Sequence, residues 1–446
     1  MTPPKVQPRV PRGMRDILPQ QMIQRQYVMD VVRGVFESFG FEPLQTPSLE
    51  LKDTLMGKYG PDAEKLIYYA QHAQGSEDLA LRYDLSVPLC RVAAMYRDLR
   101  KPLKRYQIAP VWRAERPQKG RYREFYQCDV DIVGCESMLA DAEIISVIYE
   151  ALNKLGFAQF RVTINTRKIL AGLGQYAGVP EEQLGGLYRA IDKLQKIGLE
   201  GVKEELRENG LAEEVVTRLL DLLRVQVAGE QVLAELRERL ADYPVALRGI
   251  AEMEELRGYL AALGIPEDRY QMDFTMVRGL EYYTGPIYET VVEEPKVGSI
   301  TGGGRYDELI GMFTNTSFPA TGTSLGIERI IDVMTELNMF PASIGATVTR
   351  ALVTQFDANS TAASLGLATE LRRAGVKTEL YFSADSLGKQ IGYAAKKGIP
   401  FVVIAGPDEL AAGQVALRDM SSGQQQTVAR EQMAPTLQTW ISRLEK

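Results

Sequence analysis

The sequence predicts an α+β protein of two or three domains: a mixed strand-and-helix region interrupted by an all-helical stretch, then a domain where strands and helices alternate. Three observations carry this. At 446 residues the chain is longer than one typical core accommodates. From about Arg167 to about Leu263, Leu, Glu, Arg and Ala dominate and strand signals vanish, Gly and Pro only punctuating helices. Beyond Arg350, β-rich runs at Ala351–Thr354, Lys377–Tyr381 and Pro400–Ile404 alternate with helical runs at Ala362–Ala374 and Ser386–Lys396, the order of an α/β sheet with right-handed crossovers.

Composition narrows the function class. Hydrophobic residues at 45% and charged residues at 25% are those of an ordinary soluble globular protein. A net charge of -6 argues against a surface that clings to nucleic acid everywhere, but leaves room for a local basic channel. Cys90, Cys128 and Cys135 have neither metal-ligand spacing nor the even count of a disulfide framework, so reduced thiols in a cytoplasmic protein are expected. His72 is the single histidine, which disfavours a zinc cluster or a histidine-dependent triad. The opening is Pro-rich and basic without an apolar signal core, and no run reaches membrane-spanning length. Neither export nor membrane insertion is expected.

In chain order, Val28, Val31, Val32, Val35 and Phe36 repeat at helical spacing, Gly40 stops that helix, and Phe41–Pro47 reads as extended. In Leu79–Pro88, Asp84 and Ser86 would share a strand face and could hold an ammonium group; an ordinary pairing of Asp84 with Arg82 or Arg91 is the alternative. Arg97, Arg100, Lys101, Lys104 and Arg105 accumulate positive charge that fits either an RNA path or a solvated helix end. Val111–Gly134 then reads as two strands joined by Pro117-Gln118-Lys119-Gly120 and crowded with cations. Strand alternation would point Arg113 and Glu115 one way, and align Phe125, Gln127, Asp129 and Asp131 on the other strand. These are parts for an adenine nucleotide: a guanidinium fork for phosphate, a carboxylate for an exocyclic amine, a ring for a base. On composition alone, a solvated charged hairpin at a sheet edge is the simpler reading.

A helix at 140–155, a strand at 160–165 and, past the helical stretch, a strand at 270–274 follow. Gly302-Gly303-Gly304 permits close backbone approach to a ligand, although a glycine triplet alone is usually a turn.

The order of residues turns these readings. Arg113-Ala114-Glu115-Arg116-Pro117, then Gly120-Arg121-Tyr122-Arg123-Glu124-Phe125, with Gln127 and Asp131, closely resembles motif 2 of the class II aminoacyl-tRNA synthetases, in the histidyl variant. Arg278–Glu289, RGLEYYTGPIYE, resembles the signature specific to histidyl-tRNA synthetases, and Thr321–Arg329 resembles motif 3. The first helix and the strand ending at Pro47 resemble motif 1. The resemblance covers essentially the whole chain.

It implies a class II antiparallel-sheet catalytic domain over 1–166 and 264–337, a helical insertion over 167–263 associated with the tRNA acceptor arm, a linker over 338–349 and an anticodon-binding α/β domain over 350–446. The implied activity is ATP-dependent ligation of L-histidine to tRNA(His), with Mg²⁺, in a cytoplasmic homodimer joined through motif 1. It implies Arg113 and Arg278 as catalytic residues on the α-phosphate; Arg113, Glu115, Arg121, Phe125 and Arg329 for ATP; and Asp84, Ser86, Gln127, Asp131, Arg278, Tyr282, Tyr283 and Gly304 for histidine. Metal ligands are not assigned. Two relatives of the same fold stay open at this level: a non-catalytic regulatory subunit of histidine biosynthesis, and a synthetase-like RNA sensor.

Overall fold

The computed structural model describes residues 6–118, 120–223, 230–277 and 282–444. Lys119 and Arg278 lie outside them. The chain divides into two compact units: Val28–Leu337 with the segment ending at Arg15, and Asn338–Lys446 with Asp16–Tyr27.

The first unit contains β1 (Glu42–Pro43), β2 (Leu49–Leu51), β3 (Tyr69–Ala70), β4 (Leu79–Leu81), β5 (Leu103–Trp112), β6 (Glu124–Val133), β7 (Phe160–Thr166), β8 (Tyr270–Met272), β9 (Pro286–Val292), β10 (Thr301–Arg305) and β11 (Ala320–Gly326). Eight of them form one sheet in the order β1-β5-β6-β11-β10-β9-β7-β8, while β2, β4 and β3 form a small separate one. Pairing in the large sheet is antiparallel except at its ends, where β1 joins β5 and β7 joins β8 in parallel.

Strand β6 lies inside this sheet, and its alternation positions the site. Cys128, Val130 and Ile132 are buried on its apolar face. On its other face Gln127, Asp129 and Asp131 are also buried, which costs free energy unless partners or a ligand compensate. The helix Met138–Lys154 follows, capped by the Ser137 hydroxyl, which accepts from the Leu139 N–H at 3.1 Å. It buries Ile144, Ile145 and Ile148.

Between β7 and β8 the described residues hold helices, from Arg167–Ala177 to Pro244–Ala262, and two short 3-10 turns, with no strand. Thr166 caps the first of these helices and Gly178, at φ +78°, ends it. Gly172 lets that helix meet Pro244–Ala262 closely, since a Cβ there would stand 2.4 Å from the Ala246 Cβ.

In the second unit β12 (Ala351–Val353), β13 (Thr378–Leu380) and β14 (Phe401–Ile404) are parallel, as the alternation predicts. The structure adds β15 (Gln414–Asp419) and β16 (Gln425–Ala429), an antiparallel hairpin on the β14 edge, giving the order β13-β12-β14-β15-β16.

Three local expectations are corrected. Strand β5 ends at Trp112, so Arg113 and Glu115 do not share a strand face: the Arg113 N–H donates to Arg123 O, and the next residue's N–H turns away to Leu66 O. Asp84 and Ser86 are not on a strand either, because β4 ends at Leu81 and Ser86 opens the helix Ser86–Met95. Asp84 accepts from the Val87 N–H at 3.0 Å, satisfying one of that helix's free donors, and pairs with neither Arg82 nor Arg91. Arg105 is no part of a surface RNA path; it is buried in β5. Gly302 and Gly303 line the cavity, as close approach to a ligand requires, and the strand packing itself also demands glycine: a Cβ on Gly303 would stand 2.0 Å from Gly322 O, and one on Gly304 2.7 Å from Pro286 O.

Candidate active site

A cavity of about 500 Å³ opens over the polar face of β6. Of the residues singled out in the sequence, Asp84, Ser86, Arg113, Glu115, Arg121, Phe125, Gln127, Asp131, Tyr282, Tyr283 and Arg329 all line it. Gly304 does not; it sits behind Tyr283, where a Cβ would meet that ring at 2.8 Å. Arg278 is outside the described residues.

One end of the cavity is rich in hydrogen-bond acceptors. Gln127 Nε2 donates to the Ser324 hydroxyl on β11 at 2.9 Å, leaving Gln127 Oε1 without a partner. Asp84 is held through one oxygen by the Val87 N–H and the Tyr59 hydroxyl, each at 3.0 Å, and its Oδ2 has none. Asp129 Oδ1 and Thr323 Oγ1 are likewise buried and unpartnered. Four orphaned oxygens on one cavity wall are a preparation for donors from outside the chain. Asp131 differs: Tyr306 donates to its Oδ1, and the Arg105 guanidinium stands 2.7 Å from its Oδ2 as a charge contact without hydrogen-bond alignment. Arg105 in turn donates to Leu85 O at 3.0 Å. Tyr282 closes this end, its ring 4.9 Å from Tyr283 and 5.9 Å from Tyr306.

The other end is cationic. Arg113 Nε donates to Tyr83 O at 3.1 Å, and the guanidinium lies 4.4 Å from the Tyr83 ring and 5.2 Å from that of Phe125. It is held by its inner nitrogen and its faces, so the outer fork remains for a ligand. Arg121 and Glu115 are 3.6 Å apart. Arg329 projects from the helix Ile327–Glu336 and donates to Ser299 O at 2.5 Å. Its neighbour Glu328 accepts from the Tyr126 N–H at 3.2 Å. Acceptors for a small cationic ligand therefore lie next to guanidinium groups and an aromatic ring suited to a nucleotide.

A family model described as histidyl-tRNA synthetase matches residues 13–330. The chain belongs to the histidyl-tRNA synthetase family. A second model, an anticodon binding domain, matches residues 349–440. Among curated relatives, the histidine--tRNA ligase of Cytophaga hutchinsonii is 42% identical over 96% of this chain and 99% of its own length. That of Gloeobacter violaceus is 43% identical over 93% and 95%. The crystal structure of histidyl-tRNA synthetase from Nostoc sp. PCC 7120 superposes with a TM-score of 0.86 at 32% identity, covering 98% of this chain and 100% of that one. A histidyl-tRNA synthetase of this family uses ATP and binds histidine and tRNA. No helix among the described residues is long and apolar enough to cross a membrane.

Sequence reasoning gave no role to Asp129, Thr323, Glu328 or Asp192, all of which line the cavity. For Asp129 the signal was present, since it shares a strand face with Gln127 and Asp131. Asp192 ends the helix Leu184–Asp192 of the all-helical stretch, and nothing in its local sequence marks it.

Burial, and then the charge of Asp131, pushes the Asp129 carboxyl up from 3.8 to about 7. The fold thus favours the neutral form. The destabilisation is absent below about pH 4, where this carboxyl is neutral folded or unfolded, and grows as pH rises to about 7. Asp129→Asn is expected to be more stable than the parent at pH 8 by roughly 2–4 kcal/mol, and no more stable at pH 4. Urea denaturation at the two pH values checks this.

Proposed function

We propose that the protein charges tRNA(His) with L-histidine in two steps at this cavity. The histidine carboxylate attacks the α-phosphorus of ATP in line; the bond to the bridging oxygen breaks and pyrophosphate leaves. The terminal ribose hydroxyl of the tRNA then attacks the carbonyl carbon of the adenylate; the acyl carbon–oxygen bond to the phosphate breaks, AMP leaves, and the hydroxyl proton passes to a phosphoryl oxygen. The observation that carries this reading is the pairing, in one cavity, of four unpartnered buried oxygens with a fixed, outward-facing Arg113.

Asp84 Oδ2 and Gln127 Oε1, with Ser86, receive the ammonium group of histidine. Tyr283 and Asp131, the latter oriented by Tyr306 and Arg105, read the imidazole by polar matching. Tyr282 shapes this end, and Gly304 leaves room for Tyr283. Phe125 and Arg329 enclose the adenine, with Glu115 accepting from its exocyclic amine. Arg113 and Arg278 hold the α-phosphate, and Arg121 serves the γ end. Mg²⁺, which takes hard oxygen ligands, would supply positive charge beside the ATP phosphates, and Glu289, which lines the cavity, would be the carboxylate to hold it. The helical insertion serves the acceptor arm and the C-terminal unit the anticodon, in a cytoplasmic homodimer joined through residues 19–47. The exposed Leu49 and Leu51 just beyond that region suit an apolar contact.

The regulatory and sensor alternatives are not favoured, since this chain carries the C-terminal α/β unit together with Arg113, Arg121 and Arg329. The direct test is transfer of labelled histidine to tRNA(His), which the reading requires to depend on ATP; failure to form histidyl-tRNA would refute it. Tyr283→Phe is expected to lower discrimination between histidine and other amino acids by about 10–100-fold, the loss of one half-buried hydrogen-bonding group. Comparison of kcat/KM for histidine and its analogues measures this.

A further inference from the structure

The segment Arg12–Arg15 has no part in the reading above, yet it touches both halves of the nucleotide end of the cavity. The Arg15 guanidinium lies 3.6 Å from the centre of the Tyr122 ring, in the connection between β5 and β6. Its Nη2 also reaches Glu328 Oε2 at 3.1 Å, on the helix that bears Arg329. Glu328 is buried, and its other oxygen accepts the Tyr126 N–H. Gly13 O accepts from the Arg123 N–H at 2.9 Å, and Arg12 O from Arg123 Nη1 at 3.4 Å. Arg123 then reaches back, its Nε donating to Glu115 O at 3.0 Å.

Gly13 is fitted to this place twice over. Its φ of +83° is one that L side chains rarely adopt, and a Cβ there would stand 2.7 Å from Pro117 Cγ and 2.9 Å from Arg123 Cδ. At the tip of the connection, Gly120 approaches Arg329, with a Cβ position 3.7 Å from Arg329 Cγ.

We infer that Arg15 is a positioning residue for ATP: it clamps the β5–β6 connection, through Tyr122, to the Arg329 helix, through Glu328, and fixes the distance between the two sides of the nucleotide site. The physical argument is connectivity. The connection carries Glu115 and Arg121, and its backbone bonds to the sheet thin out beyond Trp112. Arg15 is planar and always charged, so it can stack on the ring and pair with the carboxylate at once, which a lysine cannot do with the same geometry. None of these contacts involves Asp84, Ser86, Gln127 or Asp131. The inference rests on the ATP-binding part of the proposed function.

The test is made on the full chain with Arg15→Ala, Arg15→Lys and Gly13→Ala, reading ATP affinity by calorimetry, histidine KM, and tryptic cleavage within residues 113–123. Arg15→Ala is expected to weaken ATP binding about tenfold or more, as small misplacement of reacting groups does, while histidine KM moves by no more than about twofold. Cleavage of the connection accelerates. Arg15→Lys, keeping the charge without the stacked plane, falls between parent and Ala, and Gly13→Ala follows Arg15→Ala. Unchanged ATP affinity and cleavage, or equal losses for ATP and histidine with a lowered Tm, would overturn the inference. ATP binding is read without turnover, so a parent protein that binds ATP but transfers no histidine would overturn the functional reading while the Arg15 comparison still decides this one.

Discussion

Replacement of Arg113 by alanine is expected to lower kcat for histidine-dependent pyrophosphate exchange by about 10²–10³-fold, or roughly 2–4 kcal/mol of barrier. The size follows from how the side chain is held. Its Nε is fixed on Tyr83 O, and its faces lie against Tyr83 and Phe125, so the cation is set before substrate arrives. A charge fixed at the reacting phosphorus stabilises the transition state, where negative charge concentrates on the phosphoryl oxygens, more than the ground state. Arg113→Lys should recover little, because a flexible ammonium reproduces neither the fork nor the stacking. Histidine affinity should stay near the parent value, since the acceptors for histidine are on other residues. Loss confined to histidine KM would contradict the role.

Gly303→Ala is expected to destabilise the protein by about 4 kcal/mol or more, the range reserved for a few severe mechanisms. The added methyl would stand 2.0 Å from Gly322 O and 2.6 Å from Thr323 Cα, both backbone atoms of the adjoining strand, and 2.8 Å from the Tyr288 ring. No rotamer relieves a backbone clash. Strands β10 and β11 must separate, and β11 carries Thr323 and Ser324 at the cavity wall. Urea titration measures the loss, and a variant as stable as the parent would show that the sheet can yield there.

Much of this was legible in the sequence because it is local. Helical spacing placed Val28, Val32, Val35 and Phe36 on a buried face, and the loss of strand signals after Arg167 marked the helical stretch. Motif order brought eleven of the thirteen site residues named from sequence to one cavity. What escaped depends on register and on distance along the chain. Arg105 looked like one more surface cation, yet it stands directly across from Asp131 in the β5–β6 ladder, in the register that pairs Trp112 with Glu124. Extending that hairpin from its turn would have found the pair. The strand end at Trp112 was not foreseen because nothing in the residues around Arg113 breaks alternation; a tertiary bond, from the Ala114 N–H to Leu66 O, redirects the chain. Arg15 and Glu328 are 313 residues apart, and no local pattern joins them.

The central claim is that one cavity activates histidine with ATP before any tRNA is bound. Exchange of labelled pyrophosphate into ATP, measured without tRNA, tests it most directly. The account predicts that label enters ATP when L-histidine and Mg²⁺ are supplied, and that omission of histidine or its replacement by glutamine abolishes the exchange. No exchange with histidine, or equal exchange with another amino acid, would contradict it.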